Sequence, residues 1–219
     1  HQPFDVRIFH KEAKSLARAG YEVALIAQHD KEKTVDGVKI INLEKPHNRV
    51  ERMTKTSWSA FRKALEVDAD IYHLHDPELI PAGMKLKRLG KKVIFDSHED
   101  VPRQLLAKPY LNPMVLKTLS RAVSIFERYA CRRFDGIVAA TPFIRDKFLA
   151  INPNTVDINN FPLIGEFDAA VPWAEKQNEV CYVGGMASIR GLRELVSACE
   201  FLQSPARLNL AGSFLEPSV

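Results

Sequence analysis

The stretch DIYHLHDPELIPAG at residues 70–83 sets His73, His75 and Asp76 at the end of a short apolar run, ahead of residues with helical spacing. A second run, KVIFDSHED at 92–100, ends in Asp96, His98, Glu99 and Asp100. Imidazoles and carboxylates of this kind ligate zinc, iron or manganese, and alternate residues of a strand share a face, so His73 and His75 could bind together. A metallohydrolase normally draws a further histidine or carboxylate from later strands. Here GIVAAT and TVDINNF offer Thr141, Asn159 and Asn160 instead, which are poor ligands, and no residue is assigned to a metal. The same residues also have structural readings. Asp76 before Pro77 and Glu78 can cap a helix, Asp96 to Asp100 can cap the helix starting near Val101, and His73 can be a hydrogen-bonded core histidine. His98, flanked by carboxylates at a strand end, is read as functional, because perturbed histidines gather at such places.

A third stretch, VGGMASIRGL at 183–192, could cradle a phosphate. Glycines after a strand let the backbone approach an anion, the next helix offers its N-terminus, and Arg190 can pair with phosphate oxygens. Gly184 and Gly185 could equally form only a tight turn, with Arg190 solvated, since the GxGxxG pattern is absent.

The elements that must hold these groups alternate between helical and strand periods. KEAKSLARAG (11–20) reads as a helix ending in glycine, followed by the strand YEVALIAQ. VDGVKIINL holds an Asp-Gly turn and a strand, and 48–66 reads as a helix before DIYHLHD. PELIPAGMKLKRLG is a helix and KVIFDSH the next strand. Val115, Leu116, Leu119, Val123, Phe126 and Ala130 predict one apolar stripe along a long helix at 112–133. GIVAA followed by Thr141-Pro142 reads as a buried strand feeding an N-capped helix, with a further strand from 155. The fold class is α/β, a doubly wound parallel sheet whose ligands bind at the carboxyl ends of strands. Residues 1–163 form the first domain. Residues 164–178 lose periodicity and read as a linker, and 179–219 hold one strand–helix–strand unit, the beginning of a second domain. HQPFDVRIF resembles a loop that follows a first strand, so the chain is expected to be a fragment.

Composition narrows the classes further. The 219 residues carry a net charge of +4, 46% hydrophobic and 26% charged residues, an ordinary globular balance with no argument for nucleic acid. The basic run KLKRLGKK (85–92) could face anionic lipid or be the solvated end of a helix. Cys131, Cys181 and Cys199 are too widely spaced for a CxxC site and read as reduced thiols. No run is long enough to span a membrane, so the expectation is a soluble, cytoplasmic protein, with peripheral contact at the inner membrane face as an option.

Taken together, HQPFDVRIFHKEAKSLARAGYEV, DIYHLHDPEL, KVIFDSHED, FDGIVAATPFI, NNFP and VCYVGGMASIRGLRELVSA resemble family-4 retaining glycosyltransferases of the GT-B fold, of the bacterial surface-polysaccharide type. The resemblance implies two Rossmann-like domains, an N-terminal one on the acceptor side and a C-terminal one gripping a nucleotide sugar, and chemistry without a metal or other cofactor. It implies His98 as the catalytic histidine approaching the donor sugar, with Gly184, Gly185 and Arg190 at the donor diphosphate. His1, Asp5 and Arg7 fall in the loop where sugar, acceptor and diphosphate meet, while His75, Asp76 and Glu99 line the acceptor side. Met186 stands where many relatives have arginine. The paired glutamates of the donor site would lie beyond Val219, so the chain as given is expected to be inactive. The implied partners are a nucleoside diphosphate sugar and a saccharide acceptor, lipid-linked in this type. Alternatives are a UDP-sugar epimerase acting through the Asp96–Asp100 carboxylates, a metal-dependent hydrolase, and a non-catalytic sugar-nucleotide binder.

Overall fold

The computed structural model describes residues 3–48, 51–106, 112–166 and 171–214. The chain divides between Leu163 and Ile164 into two compact units.

In the first unit the polypeptide enters through a wide-turned π-helical segment, Val6–Ala13, which runs into α1 (Lys14–Arg18). Strands β1 (Val23–Gln28) and β3 (Val38–Leu43) pair in parallel, and the short β2 (Lys33–Val35) lies antiparallel on β3. Asp36 and Gly37 both take positive φ in the loop between β2 and β3, which suits a two-residue hairpin turn. The Asp-Gly turn was legible in the sequence; the strand before it was not.

A second π-helical turn, Arg52–Thr56, precedes α2 (Ser57–Val67). Then come β4 (Ile71–Leu74), α3 (Ile80–Arg88), β5 (Lys92–Ser97), α4 (Val101–Leu106), α5 (Pro113–Cys131), β6 (Gly136–Ala139), α6 (Pro142–Leu149) and β7 (Thr155–Asp157). Strands β4, β5, β6 and β7 form a wholly parallel sheet in that order. The doubly wound sheet of the sequence reading thus appears as two hydrogen-bonded ladders.

The main core lies where α2, α3, α5 and α6 cover the second ladder, with Phe61, Leu86, Val93, Phe95, Ile137 and Phe148 among its buried residues. Phe148 is fully buried, a burial worth about 1.5–3 kcal/mol. β5 is buried on both faces from Phe95 to Ser97, as expected of a central parallel strand. A smaller core under the first ladder joins Phe9, Ala13, Val38 and Ile40. Thr141 caps α6 by accepting from Ile144 N–H, with Pro142 at the first helical position. Asn152 donates to the carbonyls of Cys131 and Phe134, satisfying acceptors at the end of α5.

Two expectations need correction. The buried face of α5 is Leu116, Ser120, Glu127, Ala130 and Cys131, whereas Val115, Leu119 and Phe126 of the expected stripe are exposed. The polar pair sits inside because each has a partner: Ser120 donates to Pro102 O, and Glu127 takes Lys147 at 2.6 Å. Asp76 precedes a short helical turn headed by Pro77, but its side chain makes no cap hydrogen bond there.

The basic run is largely engaged by its own domain. Lys87 and Lys92 meet Asp135 at 2.7 and 3.4 Å, Lys91 pairs with Asp68, and Lys85 lies over the Trp58 ring.

In the second unit β8 (Glu179–Val183) and β9 (Arg207–Ala211) pair in parallel around α7 (Leu192–Ala198). The helix expected over 189–202 is shorter: a tight turn at Ser188–Arg190 ends at Gly191, whose φ of 70° separates it from α7.

Candidate functional site

The N-terminal segment builds one side of the site. Asp5 is its cap, with Oδ1 accepting from the amides of Arg7 at 2.9 Å and Ile8 at 3.0 Å. In an α-helix, residues five apart point about 140° away from each other. π winding, with its i→i+5 bonding, brings them onto one face. Arg7 and Glu12 are such a pair, and Arg7 Nε lies 2.9 Å from Glu12 Oε1.

The opposite side comes from the carboxyl ends of β4 and β5, where Asp96 is the hub. It is buried to 1% exposure. Arg7, itself buried, donates to Asp96 through Nε at 3.3 Å and through Nη2 at 3.0 and 3.2 Å, and its Nη1 donates to Ile158 O at 2.7 Å. Three imidazoles surround the same carboxylate: His98 Nδ1 is 3.2 Å from Oδ1, while His75 Nδ1 and His73 Nε2 are 3.5 and 3.9 Å from Oδ2. The rings of His73 and His75 lie 4.4 Å apart, and those of His75 and His98 stack at 6.0 Å.

This packing shifts the titrating groups. Burial, reinforced by the neighbouring Asp96 charge, pushes the Glu12 carboxyl up to about 8. Burial, with His75 beside it, pulls His73 down to about 4. Burial alone would raise Asp96, but the His75 and His98 rings outweigh it and hold the carboxyl well below the usual range. Of the two carboxylates the shifts favour ionisation of Asp96, which faces Arg7, over Glu12.

The structure gathers some of the expected site residues and separates others. His98, with a side chain 22% exposed, and His75, at 15%, belong to the Asp96 cluster. Asp5 serves as a cap, and Arg7 is turned inward as the partner of Asp96. Asp76 stands apart, lining a cavity of about 70 Å³ with Gln28, Thr56, Ser57 and Glu78. Glu99 is exposed, and its carbonyl accepts from Ser97 Oγ. His1 lies outside the described residues. Asp100, in the same FDSHED run, is drawn to Lys147 at 3.1 Å.

Glu12 escaped the sequence reading. The only signal was an acidic residue inside an otherwise basic, amphipathic stretch, five positions after an arginine. With His73, His75 and Asp96 it forms a set whose ligand atoms all lie within 4.8 Å of one another, so these four could hold a metal ion.

In the second unit, Gly184 follows β8 with φ of 152°, and its amide donates to Ala211 O at 2.9 Å; Met186 N–H donates to Ser213 O at 2.8 Å. These two amides are thus spent on β9 and its extension rather than directed outward for an anion. Gly185 O accepts from Tyr182 Oη at 2.8 Å. Arg190 ends the tight turn, with Nη1 beside Gly184, 3.9 Å from where a Cβ would stand.

A parallel α/β unit carrying its polar cluster at strand carboxyl ends, followed in the chain by a second parallel unit with a glycine turn, is the architecture of GT-B glycosyltransferases. Solved structures agree with that fold. A sucrose-phosphate synthase from Thermosynechococcus elongatus matches with a TM-score of 0.66 at 16% identity, over 97% of this chain and 57% of that one. Arabidopsis thaliana UGT89C1, complexed with UDP-L-rhamnose, matches with a TM-score of 0.53 at 12% identity, over 93% of this chain and 64% of that one. The chain therefore spans roughly three fifths of the length of these structures. No curated protein sequence matches it. The family model of Glycosyltransferase Family 4 covers residues 6–158, and the chain belongs to that family.

Proposed function

We propose that the chain is part of an enzyme that transfers a sugar from a nucleoside diphosphate sugar to an acceptor hydroxyl with retention at the anomeric carbon. His98 is its catalytic histidine. The observation that carries this is the placement of His98 just past the carboxyl end of the central strand β5, with Nδ1 against the buried Asp96. A carboxylate in that position orients the ring, and in this reading the imidazole is the group that meets the donor sugar. Arg7 holds the carboxylate in place through three hydrogen bonds.

The nucleotide sugar falls to the second unit in this reading, with Arg190 the side chain suited to the diphosphate charge. Because the Gly184 and Met186 amides serve the ladder, stabilisation of the departing diphosphate rests on Arg190 and on groups other than these two amides. Asp76 and Glu78, with the hydroxyls of Thr56 and Ser57 beside them, supply hydrogen-bonding groups for a hydroxyl on the acceptor side, in a cavity too small to enclose a whole sugar ring. The resemblance of the motifs extends the reading to a lipid-linked saccharide acceptor in surface-polysaccharide synthesis. The epimerase alternative loses support, because Asp96, its first carboxylate, is enclosed by Arg7 and three histidines.

The test is full-length enzyme and its His98→Ala variant, assayed with UDP-, GDP- and ADP-sugars and saccharide acceptors, with product anomers read by NMR. Wild-type transfer with retention and its loss in a folded His98→Ala variant are expected. Unchanged turnover in that variant removes His98 from the chemistry, and inversion removes the retaining mechanism.

A further inference from the structure

We propose that Glu12, His73, His75 and Asp96 form a binding site for a divalent transition-metal ion of the zinc or cobalt class. The site lies beside the proposed catalytic histidine, and the ion holds the N-terminal segment to the sheet without taking part in sugar transfer.

Geometry is the first argument. A tetrahedral site with bonds of about 2.1 Å to nitrogen and oxygen has ligand-to-ligand edges of about 3.4 Å. Three of the six edges are 3.5 Å from His75 Nδ1 to Asp96 Oδ2, 3.7 Å from His75 Nδ1 to Glu12 Oε2, and 3.9 Å from His73 Nε2 to Asp96 Oδ2, and all six are within 4.8 Å. Small side-chain adjustments close such a shell. The ligands come from three elements: the π-helical segment, the strand end at His73 and His75, and β5.

Unmet bonding capacity is the second. Oε2 of Glu12, Nε2 of His73 and Nδ1 of His75 are buried and meet no partner at full hydrogen-bond geometry among the described residues, whereas Oε1 of Glu12 faces Arg7 Nε at 2.9 Å. Buried polar atoms without partners are uncommon, and each one calls for an explanation. Here they converge on the same few ångströms. Two imidazoles with two carboxylates suit zinc, cobalt, nickel or iron rather than calcium or magnesium, whose preference is for oxygen, or copper(I), whose preference is for thiolate.

The surroundings supply the third. Ligating carboxylates are normally held by outer partners. Asp96 is held by Arg7, and its Oδ1 faces His98 while Oδ2 faces the ligand pair. The guanidinium lies against Glu12 Oε1 and both oxygens of Asp96, so the ion shares Asp96 Oδ2 with Arg7, while Glu12 Oε2 and the two imidazoles face it directly. Glu12 is the ligand that makes the set four, and it reaches the others only because π winding turns it to the face of Arg7.

The test uses full-length protein stripped with a chelator, titrated with Co2+ and followed by visible absorption, and with Zn2+ followed by calorimetry. One ion per chain is expected, with a rise in Tm on loading. His75→Ala and Glu12→Gln should each weaken binding at least about 10-fold, the scale that even outer-shell losses reach. Far-UV circular dichroism checks that both variants fold. If either does not, X-ray absorption of the zinc-loaded wild type reads the shell directly and should show two imidazoles and no sulfur. Absence of saturable binding, variants that bind as tightly as wild type, or a shell without imidazole overturns the proposal. Binding is read without any turnover assay, so a chain that transfers sugar yet binds no ion overturns the ion site and leaves the transferase reading standing.

Discussion

Arg7 and Asp96, 89 residues apart in sequence, are joined by three hydrogen bonds between 3.0 and 3.3 Å, and both side chains are buried. A buried pair of this kind adds little net stability over an apolar pair of the same shape, but it is costly to break from one side. Arg7→Met should cost about 3–5 kcal/mol, because it takes the guanidinium and its three hydrogen bonds from a buried carboxylate. Arg7→Met combined with Asp96→Leu should cost less than Arg7→Met alone. Urea unfolding of wild type, both single variants and the double variant checks this, and additive losses would show that the pair acts as two independent residues.

Glu127 supplies a pH dependence. Burial raises its carboxyl above the ordinary 4.5, more than Lys147 at 2.6 Å lowers it. The folded state therefore holds this proton at pH values where the unfolded chain has released it. Its contribution is complete below 4.5 and is lost as pH rises through the folded value. Glu127→Gln mimics the protonated form, and Lys147 keeps Asp100 as a partner. Relative to wild type, the variant should gain stability between pH 4.5 and neutrality, measured as a widening difference in unfolding free energy; a narrowing difference would contradict the assignment.

Cys131 and Cys181 should differ sharply in reactivity. Cys131 is fully buried and burial pushes its thiol up to about 12, whereas Cys181 is exposed. Only the thiolate attacks a disulfide reagent. At pH 8, labelling with an aromatic disulfide should modify Cys181 in native protein and reach Cys131 only after denaturant is added. Rapid labelling of Cys131 in the folded chain would place α5 differently from what is described here.

Gly212 marks a close backbone approach. Its φ is 152°, and a Cβ there would stand 1.7 Å from Gly184 O, a backbone atom with no freedom to swing aside. Gly212→Ala should destabilise the second unit by about 1–3 kcal/mol or more through forced displacement of the β8 and β9 ends. Amide hydrogen exchange should show it as faster exchange in β8 and β9, with the first unit unaffected.

The elements that local chemistry dictates were legible in the sequence. The apolar run GIVAA with Thr141-Pro142 behind it gave β6 and the capped α6, and the Asp-Gly pair gave the turn that opens β3. Long-range pairing was not legible. Nothing in HQPFDVRIF tells that Arg7 turns inward to Asp96, because the partner lies in a different run and burial of an arginine runs against its usual exposure. The face of α5 was misjudged for a similar reason: Ser120 and Glu127 go inside through bonds to Pro102 and Lys147, which periodicity of apolar residues cannot register. Within the site, the strand-end histidines could be named from their runs, whereas Glu12 depended on a helix winding that no residue pattern announces.

That winding makes the N-terminal segment unusually sensitive to length. A π turn carries one residue more than the α turn it replaces, so deleting a single residue between Arg7 and Glu12 would let the segment relax into ordinary helix. Glu12 would then follow Arg7 by four positions, still a neighbouring pair on a regular helix. A one-residue insertion at the same place would instead turn the carboxylate away from the strands. The segment is in effect a ruler set to one length, tolerant of trimming and intolerant of growth, and a deletion–insertion pair at this point would tell whether the site depends on the winding itself or only on the face that winding presents.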